Sequence, residues 1–446
     1  MTVELLVVLG GQVAGHLRQD RSGRLSFEYE SNYQDDETAT PLSVSMPLSI
    51  RSHRGKKLDS WLKNLLPDNE RVLDRWATQF QVSSSSPFAL LRHVGRDVAG
   101  AVQFVSEDDV ADFTKGGINW LTDKQVAERL RGLTTNPAAW TPMSNSGQFS
   151  LAGAQAKTAL RFEGGRWGEP WGAEPTTHIL KPPIQDWEHQ EINEHLCLVT
   201  AQRLGIPSAN SEIKKFDDQS AIVVERYDRM WNRAGKLQRI HQEDLCQALG
   251  YSPSKKYEHN GGPGAVDVIQ LLKRLMGPAE AAVAVDTFVQ ALALSWVLGG
   301  TDAHAKNYGL LLSGRNLALA PLYDVNSILP YLVPEVRGLS RGEVSIHTAA
   351  LAMKVGDRKV LQEVEKRDWN LFAERSGLPE ADVQATVRRV VDDAPQAMND
   401  AASELIASTT TTEQKVFVER LVALVSKQAG LCQSALAGRP IPSRRR

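Results

Sequence analysis

The chain has 446 residues, enough for about two to four domains with sizeable buried cores. Its 51 Lys and Arg residues nearly balance 53 Asp and Glu residues, and the resulting net charge of −2 excludes the strongly basic surface of a dedicated nucleic-acid-binding protein. Hydrophobic residues make up 42% and charged residues 23% of the chain, which is not the composition of a disordered protein. We therefore expect most of the chain to fold.

The cysteine pattern and the apolar runs indicate a cytoplasmic protein. Cys197, Cys246 and Cys432 are far apart and form no Cys-x-x-Cys pair, so they predict neither a disulfide framework nor a zinc site. The apolar run near the N-terminus is short, follows Glu4 and lacks a basic flank, which predicts a strand rather than a signal peptide. The longest apolar run, 287–301, is shorter than the roughly 18 residues that cross a membrane. We expect no contact with a membrane.

Residues 1–145 are predicted to form an N-terminal β-rich subdomain. Short apolar stretches, among them 42–48, alternate with turn residues in the manner of strands. A helical pattern replaces them at 58–80, where Pro67 predicts two helices rather than one. The segment 134–147 contains two prolines and ends in Ser-Asn-Ser-Gly, so it is either a linker or a long surface loop within one domain.

The remaining residues are predicted to form two lobes. An α+β lobe at 146–235 contains a strand-like run at 177–181 and an amphipathic helix at about 188–204. A mostly helical lobe follows at 236–446, with apolar stripes such as that at 416–425. The fold class is therefore α+β.

A polar loop after an apolar helix of the second lobe carries the most informative spacing. Asp302 and Asn307 stand five positions apart, as do the catalytic aspartate and the metal-binding asparagine of the kinase loop H-R-D-x-x-x-x-N. A hairpin predicted at 308–320 would return Asp324 to the side of Asn307. Phosphoryl transfer needs a divalent cation on hard oxygen ligands and a carboxylate that accepts a proton. Asn307 and Asp324 are candidates for the first task and Asp302 for the second.

Two other residues of this loop favour the same chemistry. His304 and Lys306 lie between the aspartate and the asparagine, where they could contact phosphate oxygens. Gly300 and Thr301, however, replace the His-Arg pair of the kinase pattern. One alternative is a capped helix end followed by an ordinary polar loop; another, from the acidic residues and the histidine alone, is a metal-dependent phosphohydrolase.

Upstream residues favour a kinase. Lys181 ends a strand-like run, as the lysine of V-A-I-K does, and its ammonium would bind nucleotide phosphates unless it is simply solvated. Glu191 and Glu194 could each pair with it as the αC glutamate does, unless both are surface acids, and we favour Glu194. Small residues at 150–157 would let backbone amides approach a phosphate, although they match neither G-x-G-x-x-G nor the P-loop pattern and could form only a tight turn.

A series of ordered motifs runs along nearly the whole chain. They include Gly95-Arg96-Asp97-Val98-Ala99-Gly100, Glu225-Arg226-Tyr227-Asp228-Arg229, Gly261-Gly262-Pro263-Gly264, the loop 301–307 and Tyr323-Asp324. Together they resemble the HipA family, the kinase toxins of bacterial HipBA toxin–antitoxin modules. The resemblance implies a two-lobed, protein-kinase-like fold preceded by a β-rich N-terminal subdomain, and it implies ATP and Mg2+ as cofactors.

The resemblance also implies roles for individual residues. Asp302 would be the catalytic aspartate, Asn307 and Asp324 the metal ligands, and the run 225–227 the hinge whose backbone meets adenine. Family members autophosphorylate a serine in the glycine-containing loop, and Ser150 stands at that place; phosphorylation would expel the loop and inactivate the enzyme. The ATP-binding residues implied are Ala152, Gly153, Ala154, Gln155, Lys157, Lys181, Glu225, Arg226, Tyr227, His304, Lys306, Asn307, Tyr323 and Asp324.

The resemblance further implies partners. Family members phosphorylate aminoacyl-tRNA synthetases, glutamyl-tRNA synthetase being the candidate here, which arrests translation and growth and leads to persistence. The antitoxin is a small HipB-like helix-turn-helix dimer that binds operator DNA, and the toxin joins that complex as a corepressor. The alternative is a catalytically silent corepressor. The basic tail 444–446 either contacts DNA directly or serves only solubility.

Overall fold

The chain divides into two units, each assembled from segments that are separated in sequence. The first comprises Met1–Pro182, Lys214–Ser254 and Gly309–Ala318, and the second comprises Pro183–Ile213, Lys255–Tyr308 and Leu319–Arg446. The computed structural model describes residues 3–138, 140, 149–409 and 411–439. The end of the predicted linker and the tail 444–446 lie outside these residues.

The predicted N-terminal strand is confirmed and belongs to an antiparallel sheet of the first unit. Along Val3–Leu9 the side chains of Leu5, Val7 and Leu9 are buried, and they join one apolar core with Trp61. The strand order of this sheet is Ser52–Arg54, Leu25–Tyr29, Gln12–Gln19, Val3–Leu9 and Val102–Ser106.

Helices accompany this sheet. The break predicted near Pro67 is confirmed, because one helix ends at Asn64 and the next begins at Glu70, where the side chain of Asn69 accepts a hydrogen bond from a backbone amide of the first turn. The helices of the first unit are Ser31–Gln34, Lys56–Asn64, Glu70–Phe80, Pro87–Val94, Asp123–Thr135 and Leu245–Leu249, with a 3-10 helix at Glu107–Asp112.

The stretch 42–48 does not form a regular strand, which corrects the strand pattern read from its apolar residues. Its described pairing is an isolated bridge between Ser43 and Met46. The phenol of Tyr29 donates to the Met46 carbonyl at 2.7 Å and accepts from the Leu42 amide at 2.7 Å. A buried side chain thus satisfies backbone groups that a neighbouring strand would otherwise pair.

A second sheet of the first unit carries Lys181. Apolar side chains of the helix Asp123–Thr135, such as Val126 and Leu130, share a core with Leu180 of this sheet. Its strand order is Ser211–Phe216, Gln219–Glu225, His178–Lys181, Thr158–Glu163, Arg166–Gly172 and Gly116–Leu121. Smaller sheets pair Arg229–Trp231 with Leu237–Arg239, and His241–Asp244 with Gly309–Ser313 and then Asn316–Leu319.

The second unit is mostly helical, as predicted for the C-terminal half. Its helix Pro278–Leu298 is long and apolar enough to cross a membrane, but 72% of its most apolar window is buried inside the protein, as in a core helix. The helices of this unit are Gln190–Arg203, Ala265–Leu275, Pro278–Leu298, Lys366–Ser376, Glu380–Thr409 and Thr412–Leu436. The strand pairs are Leu332–Val333 with Val344–Ser345 and Ala350–Val355 with Arg358–Val360, and 3-10 turns occupy Glu258–Asn260, Ala305–Asn307, Leu329–Tyr331 and Leu361–Glu363. A further 3-10 turn, Pro253–Lys255, spans the point in the sequence where the first unit's segment ends.

Helix accounts for 43% and strand for 24% of the structure, so the predicted α+β class is confirmed. The three-part division at residues 145 and 235 stays a prediction. The hairpin strand Gly309–Ser313 belongs to the first unit although it follows the polar loop of the second unit in sequence. Periodicity along the chain could not reveal this exchange of segments.

Candidate active site

A buried helix and two glycines set the position of the polar loop in the second unit. The helix Pro278–Leu298 ends at Gly299, whose φ of +66° is left-handed and whose amide donates to the Ser295 carbonyl. The Gly300 amide donates to the same carbonyl at 2.6 Å. The chain therefore turns sharply away from the helix, and Asp302 follows directly.

Internal hydrogen bonds hold the loop that contains Asp302. The backbone carbonyl of Asp302 accepts from the His304 amide at 2.8 Å and from Nδ2 of Asn307 at 2.7 Å. The His304 carbonyl accepts from the Asn307 amide at 2.8 Å. The side chain of Asp302 is 55% exposed, whereas His304 and Asn307 are buried. Hydrogen bonds therefore fix the backbone of the loop, and the Asp302 carboxylate faces outward. This loop is more ordered than the ordinary polar loop considered as the alternative.

The segment that carries Asp324 is also tied down. The Leu322 amide donates to the Pro207 carbonyl at 2.8 Å, and the phenol of Tyr323 donates to the carbonyl of Lys306. Asp324 itself has a φ of +55°, in the left-handed region that aspartate and asparagine enter more readily than other side-chain-bearing residues. The two residues that precede Asp324 are therefore held in place, and its left-handed backbone sets the direction in which its side chain leaves the chain.

Asp302, Asn307 and Asp324 line one pocket of the second unit. The empty volume of this pocket, including its open mouth, is about 390 Å3, and Tyr323 is part of its wall. Ala291, Leu294 and Leu322 give the pocket an apolar side. The structure thus brings together the three residues that the spacing argument placed in one site.

The pocket offers side-chain oxygen atoms of the kind that bind a divalent cation. Because Nδ2 of Asn307 donates to the Asp302 carbonyl, the amide oxygen Oδ1 is the atom left to bind a cation. Asp324 contributes carboxylate oxygens to the same pocket. Within the described residues no cluster of three or more His, Cys, Asp or Glu side chains could hold a metal by itself. Protein sites for Mg2+ usually combine one or two carboxylates with substrate phosphates, and the two side chains of this pocket match that pattern.

Lys181 and the two candidate glutamates are all buried, which excludes the alternatives of a solvated lysine and of surface acids. Lys181 ends the strand His178–Lys181 of the first unit and is 6% exposed. In the second unit Glu191 and Glu194 are 2% and 1% exposed, and Oε1 of Glu191 lies 3.6 Å from Nδ1 of His189. Glu194 remains the favoured partner for the lysine, and that pairing stays a prediction.

The three predicted hinge residues have different environments. Glu225 is exposed, Tyr227 is half-buried, and Arg226 is buried in ion pairs with Asp228 at 2.8 Å and Asp97 at 3.4 Å. Burial by itself raises the pKa of Asp97, but the surrounding arginines hold that pKa well below its usual range. The Arg226 guanidinium is therefore committed to this network, and the role of 225–227 as a hinge whose backbone meets adenine stays a prediction.

The loop 150–157 packs against other residues of the first unit. Ser150 is fully buried, and its hydroxyl donates to the Leu65 carbonyl at 2.8 Å. The Ser150 amide donates to the Asp97 carbonyl at 3.0 Å. Ala154 is the exposed tip of the loop. In this conformation the Ser150 hydroxyl cannot be reached by a phosphate donor.

Polar groups inside this loop are arranged around its glycine. Gly153 has a φ of +103°, and its carbonyl accepts from the Asp68 amide at 3.0 Å. The ammonium of Lys157 donates to the Ala152 carbonyl at 2.8 Å. The amide nitrogen of Gln155 is buried with no hydrogen-bond partner among the described residues. A bound phosphate oxygen would satisfy this donor.

Two residues near the pocket have no counterpart in the sequence-based site. The phenol of Tyr257 donates to Oδ1 of Asp302, and its ring packs edge-on against His304 with 4.8 Å between ring centroids. Asn193 binds the backbone of Ser327, just after the Asp324 segment. These contacts span 45 and 134 sequence positions, so no local motif could have revealed them.

Known proteins resemble the chain over both units. The family model of the HipA N-terminal domain matches residues 5–105, and that of the HipA-like C-terminal domain matches residues 149–398. The protein Y4mE of Sinorhizobium fredii is 33% identical over 407 residues, which cover 89% of this chain and 92% of that protein. The serine/threonine-protein kinase toxin HipA of Shewanella oneidensis is 29% identical over 411 residues, which cover 89% of each protein.

A solved structure resembles the whole chain. It is the Shewanella oneidensis MR-1 toxin–antitoxin complex of HipA, HipB and operator DNA, in which the matched chain is 26% identical with a TM-score of 0.80. The match covers 98% of both chains. It confirms the predicted two-lobed fold class.

Proposed function

This chain belongs to the HipA family, and from that premise we propose that it is a serine/threonine protein kinase and the toxin of a bacterial type II toxin–antitoxin module. The observation that carries the proposal is the pocket that Asp302, Asn307 and Asp324 share. It combines an exposed carboxylate with two hard oxygen ligands, the set that phosphoryl transfer from Mg-ATP requires. The Shewanella oneidensis relative, named as a kinase toxin, supports the same assignment.

Asp302 accepts the proton of the substrate hydroxyl. The oxygen of that hydroxyl attacks the γ-phosphorus of ATP, the bond to the β-phosphate oxygen breaks, and ADP leaves. The hydrogen bonds of His304 and Asn307 to the Asp302 carbonyl hold the backbone at Asp302 in place during this step. The 55% exposure of the side chain leaves it accessible to a protein substrate.

Asn307 and Asp324 would hold the metal through their side-chain oxygens. When bound, a divalent cation such as Mg2+ would supply positive charge to offset the charge that develops on the γ-phosphoryl group. The ammonium of Lys181 binds phosphate oxygens. His304, Lys306, Tyr323, the hinge backbone of 225–227 and the loop residues Ala152, Gly153, Ala154, Gln155 and Lys157 complete the nucleotide site.

Ser150 is the autophosphorylation site and an inactivating switch. Because its hydroxyl is buried against Leu65, the loop 150–157 must open before phosphate can be added. A phosphoserine carries about −1.5 to −2 charges at neutral pH and could not return to a position that faces a carbonyl oxygen. The loop then stays open and no longer binds the ATP phosphates.

The partners follow from the same assignment. The Shewanella oneidensis complex contains HipA, HipB and operator DNA, which supports a HipB-like helix-turn-helix antitoxin here and operator binding through that complex, with this chain as corepressor. The target is an aminoacyl-tRNA synthetase, with glutamyl-tRNA synthetase as the first candidate. Phosphorylation of that target in the cytoplasm arrests translation and growth and produces persistence.

The test is intact and peptide mass spectrometry of the purified protein before and after incubation with Mg-ATP. We expect a new phosphate on Ser150, its absence in Asp302→Asn or with EDTA, and its presence in the control Asp393→Asn, which changes an exposed helix aspartate. A protein that is shown to be unmodified at the start and gains no phosphate would overturn the kinase assignment. Binding to the antitoxin would then identify it as a silent corepressor.

A further inference from the structure

The glycine-rich run 261–264 has no part in the reaction described above, yet it shapes a tight turn of the second unit. Gly261 is left-handed with a φ of +77°. A Cβ atom on Gly262 would lie 1.9 Å from the Lys255 carbonyl oxygen, so only glycine fits there. The Gly262 amide donates to the Tyr257 carbonyl at 3.1 Å and closes the turn.

This turn brings Tyr257 next to the loop 299–307, which carries Asp302. Its hydroxyl donates to Oδ1 of Asp302, and its ring meets the imidazole of His304 at an interplanar angle of 85°. The carbonyl of the preceding residue, Lys256, accepts from the Ala305 amide at 3.3 Å. The turn therefore contacts the loop 299–307 through both backbone and side chain.

The hydrogen bond has only one chemically sensible direction. The Tyr257 phenol has a proton to donate, and Oδ1 of Asp302 accepts it. Nε2 of His304 also approaches Oδ1 of Asp302, at 3.8 Å. Tyr257 and His304 thus both approach one carboxylate oxygen and restrict rotation of the Asp302 side chain.

We propose that Tyr257 is a positioning residue for phosphoryl transfer: its hydroxyl keeps the exposed carboxylate of Asp302 in one orientation toward the substrate hydroxyl. The inference rests on the proposed function, because it assigns to Asp302 the role given above. It also explains the glycine run, because the tight turn at Gly262 sets the position of Tyr257. Tyr257 acts through Asp302 and need not contact ATP.

The direct test is Tyr257→Phe, which keeps the ring against His304 and removes only the hydroxyl. We expect the initial rate of Ser150 phosphorylation at saturating Mg-ATP to fall about 10- to 100-fold, because misplacing a catalytic group by about 1 Å can cost about 100-fold in rate. The ATP concentration at half-maximal rate should change less than twofold. The control Tyr33→Phe, which removes a phenol hydrogen bond to a backbone carbonyl of the first unit, should keep the parental rate.

A double-mutant cycle separates positioning from general stabilisation. We expect Tyr257→Phe to lower the urea midpoint of unfolding in the parent protein but not in Asp302→Ala, because the partner of the hydroxyl is then gone. Additive effects on the midpoint, or a parental rate in Tyr257→Phe, would overturn the inference alone. A parent protein that transfers no phosphate would overturn the proposed function and, with it, the role of Tyr257.

Discussion

Asn193 is hydrogen-bonded to both backbone groups of Ser327. Its Nδ2 donates to the Ser327 carbonyl at 2.7 Å, and its Oδ1 accepts from the Ser327 amide at 2.9 Å. The hydroxyl of Ser327 donates in turn to the carbonyl of Leu298 at 2.6 Å. One asparagine of the helix Gln190–Arg203 thus connects the segment after Asp324 to the end of the helix Pro278–Leu298, which precedes the loop that carries Asp302.

We expect Asn193→Leu to weaken both folding and catalysis. Leucine has a similar volume but leaves the buried amide and carbonyl of Ser327 without their partner, at a cost of about 1–3 kcal/mol for each group in the free energy of unfolding. The initial rate of phosphoryl transfer should fall as well, because Ser327 follows Asp324 closely. Urea unfolding and phosphate incorporation, measured beside the exposed control Asn399→Leu, check this. A leucine variant that matches the control in both measurements would show that the hydrogen bonds between Asn193 and Ser327 are dispensable.

The sequence could predict the pocket residues because short covalent connections place them. Five positions of one loop separate Asp302 from Asn307, and a hairpin between Gly309–Ser313 and Asn316–Leu319 returns the chain to Asp324. Local spacing was therefore enough to group three polar residues around one pocket.

The supporting residues could not be predicted, because their contacts depend on packing between distant segments. Tyr257 reaches Asp302 only through the turn at Gly262, and Asn193 meets Ser327 from a helix far upstream. The burial of Lys181 was equally undecided, since a lysine at a strand end is solvated or buried according to what covers the sheet. The contacts that the sequence could not predict are those between residues far apart along the chain.

Glu243 should make the folded state sensitive to pH. The residue is buried in the first unit, where Oε1 accepts from the Val44 amide at 2.8 Å, and burial raises the pKa of Glu243 to about 8. In the unfolded chain this pKa is near the ordinary value of 4.5. Between these two values the folded state binds the proton and the unfolded state does not, so the free energy of unfolding falls as pH rises from about 4.5 to about 8.

Glu243→Gln removes this dependence and keeps an oxygen for the Val44 amide. We expect the difference in urea midpoint between this variant and the parent to shift in favour of the variant as pH rises from 5 to 9. Other titrating groups cancel in that difference. Glu419→Gln, at an exposed helix position, should show no such trend. A difference that stays constant with pH would mean that Glu243 ionises in the folded protein as it does in the unfolded chain.

A charge at position 150 should open the loop 150–157. Ser150→Asp places a carboxylate in a fully buried position that faces the Leu65 carbonyl, and the two acceptors repel each other. Ser150→Ala loses one neutral hydrogen bond, worth about 0.5–1.5 kcal/mol, and keeps the loop closed. We expect faster amide hydrogen exchange in the loop and at least tenfold weaker ATP binding for Ser150→Asp than for Ser150→Ala. Ser85→Asp, at an exposed position, controls for the added charge. Equal ATP affinity in the two Ser150 variants would disprove the switch.

The left-handed backbone of Asp324 predicts an order of stability among its variants. Asparagine tolerates a φ of +55° about as well as aspartate, glycine adopts it without a steric penalty, and alanine pays about 1–2 kcal/mol there. We expect the free energies of unfolding of Asp324→Asn and Asp324→Gly to lie near the parental value and that of Asp324→Ala to be lower. If alanine is tolerated as well as glycine, the backbone at this position relaxes and does not aim the side chain.

The same variants test Asp324 as a metal ligand. Asp324→Asn keeps one neutral oxygen where the parent has a carboxylate, so its phosphoryl transfer should be slow at low Mg2+ and rise as Mg2+ is increased. Asp324→Ala has no ligand atom to offer, and added Mg2+ should not restore its rate, which we expect to stay about 100- to 1,000-fold below that of the parent. The stability comparison identifies any loss of rate that comes from backbone strain. The difference in rate between Asp324→Asn and Asp324→Ala then measures the effect of losing the ligand oxygen. A parental rate and Mg2+ requirement in Asp324→Asn would remove Asp324 from the metal site, and Asn307 would then have to hold the cation with phosphate oxygens alone.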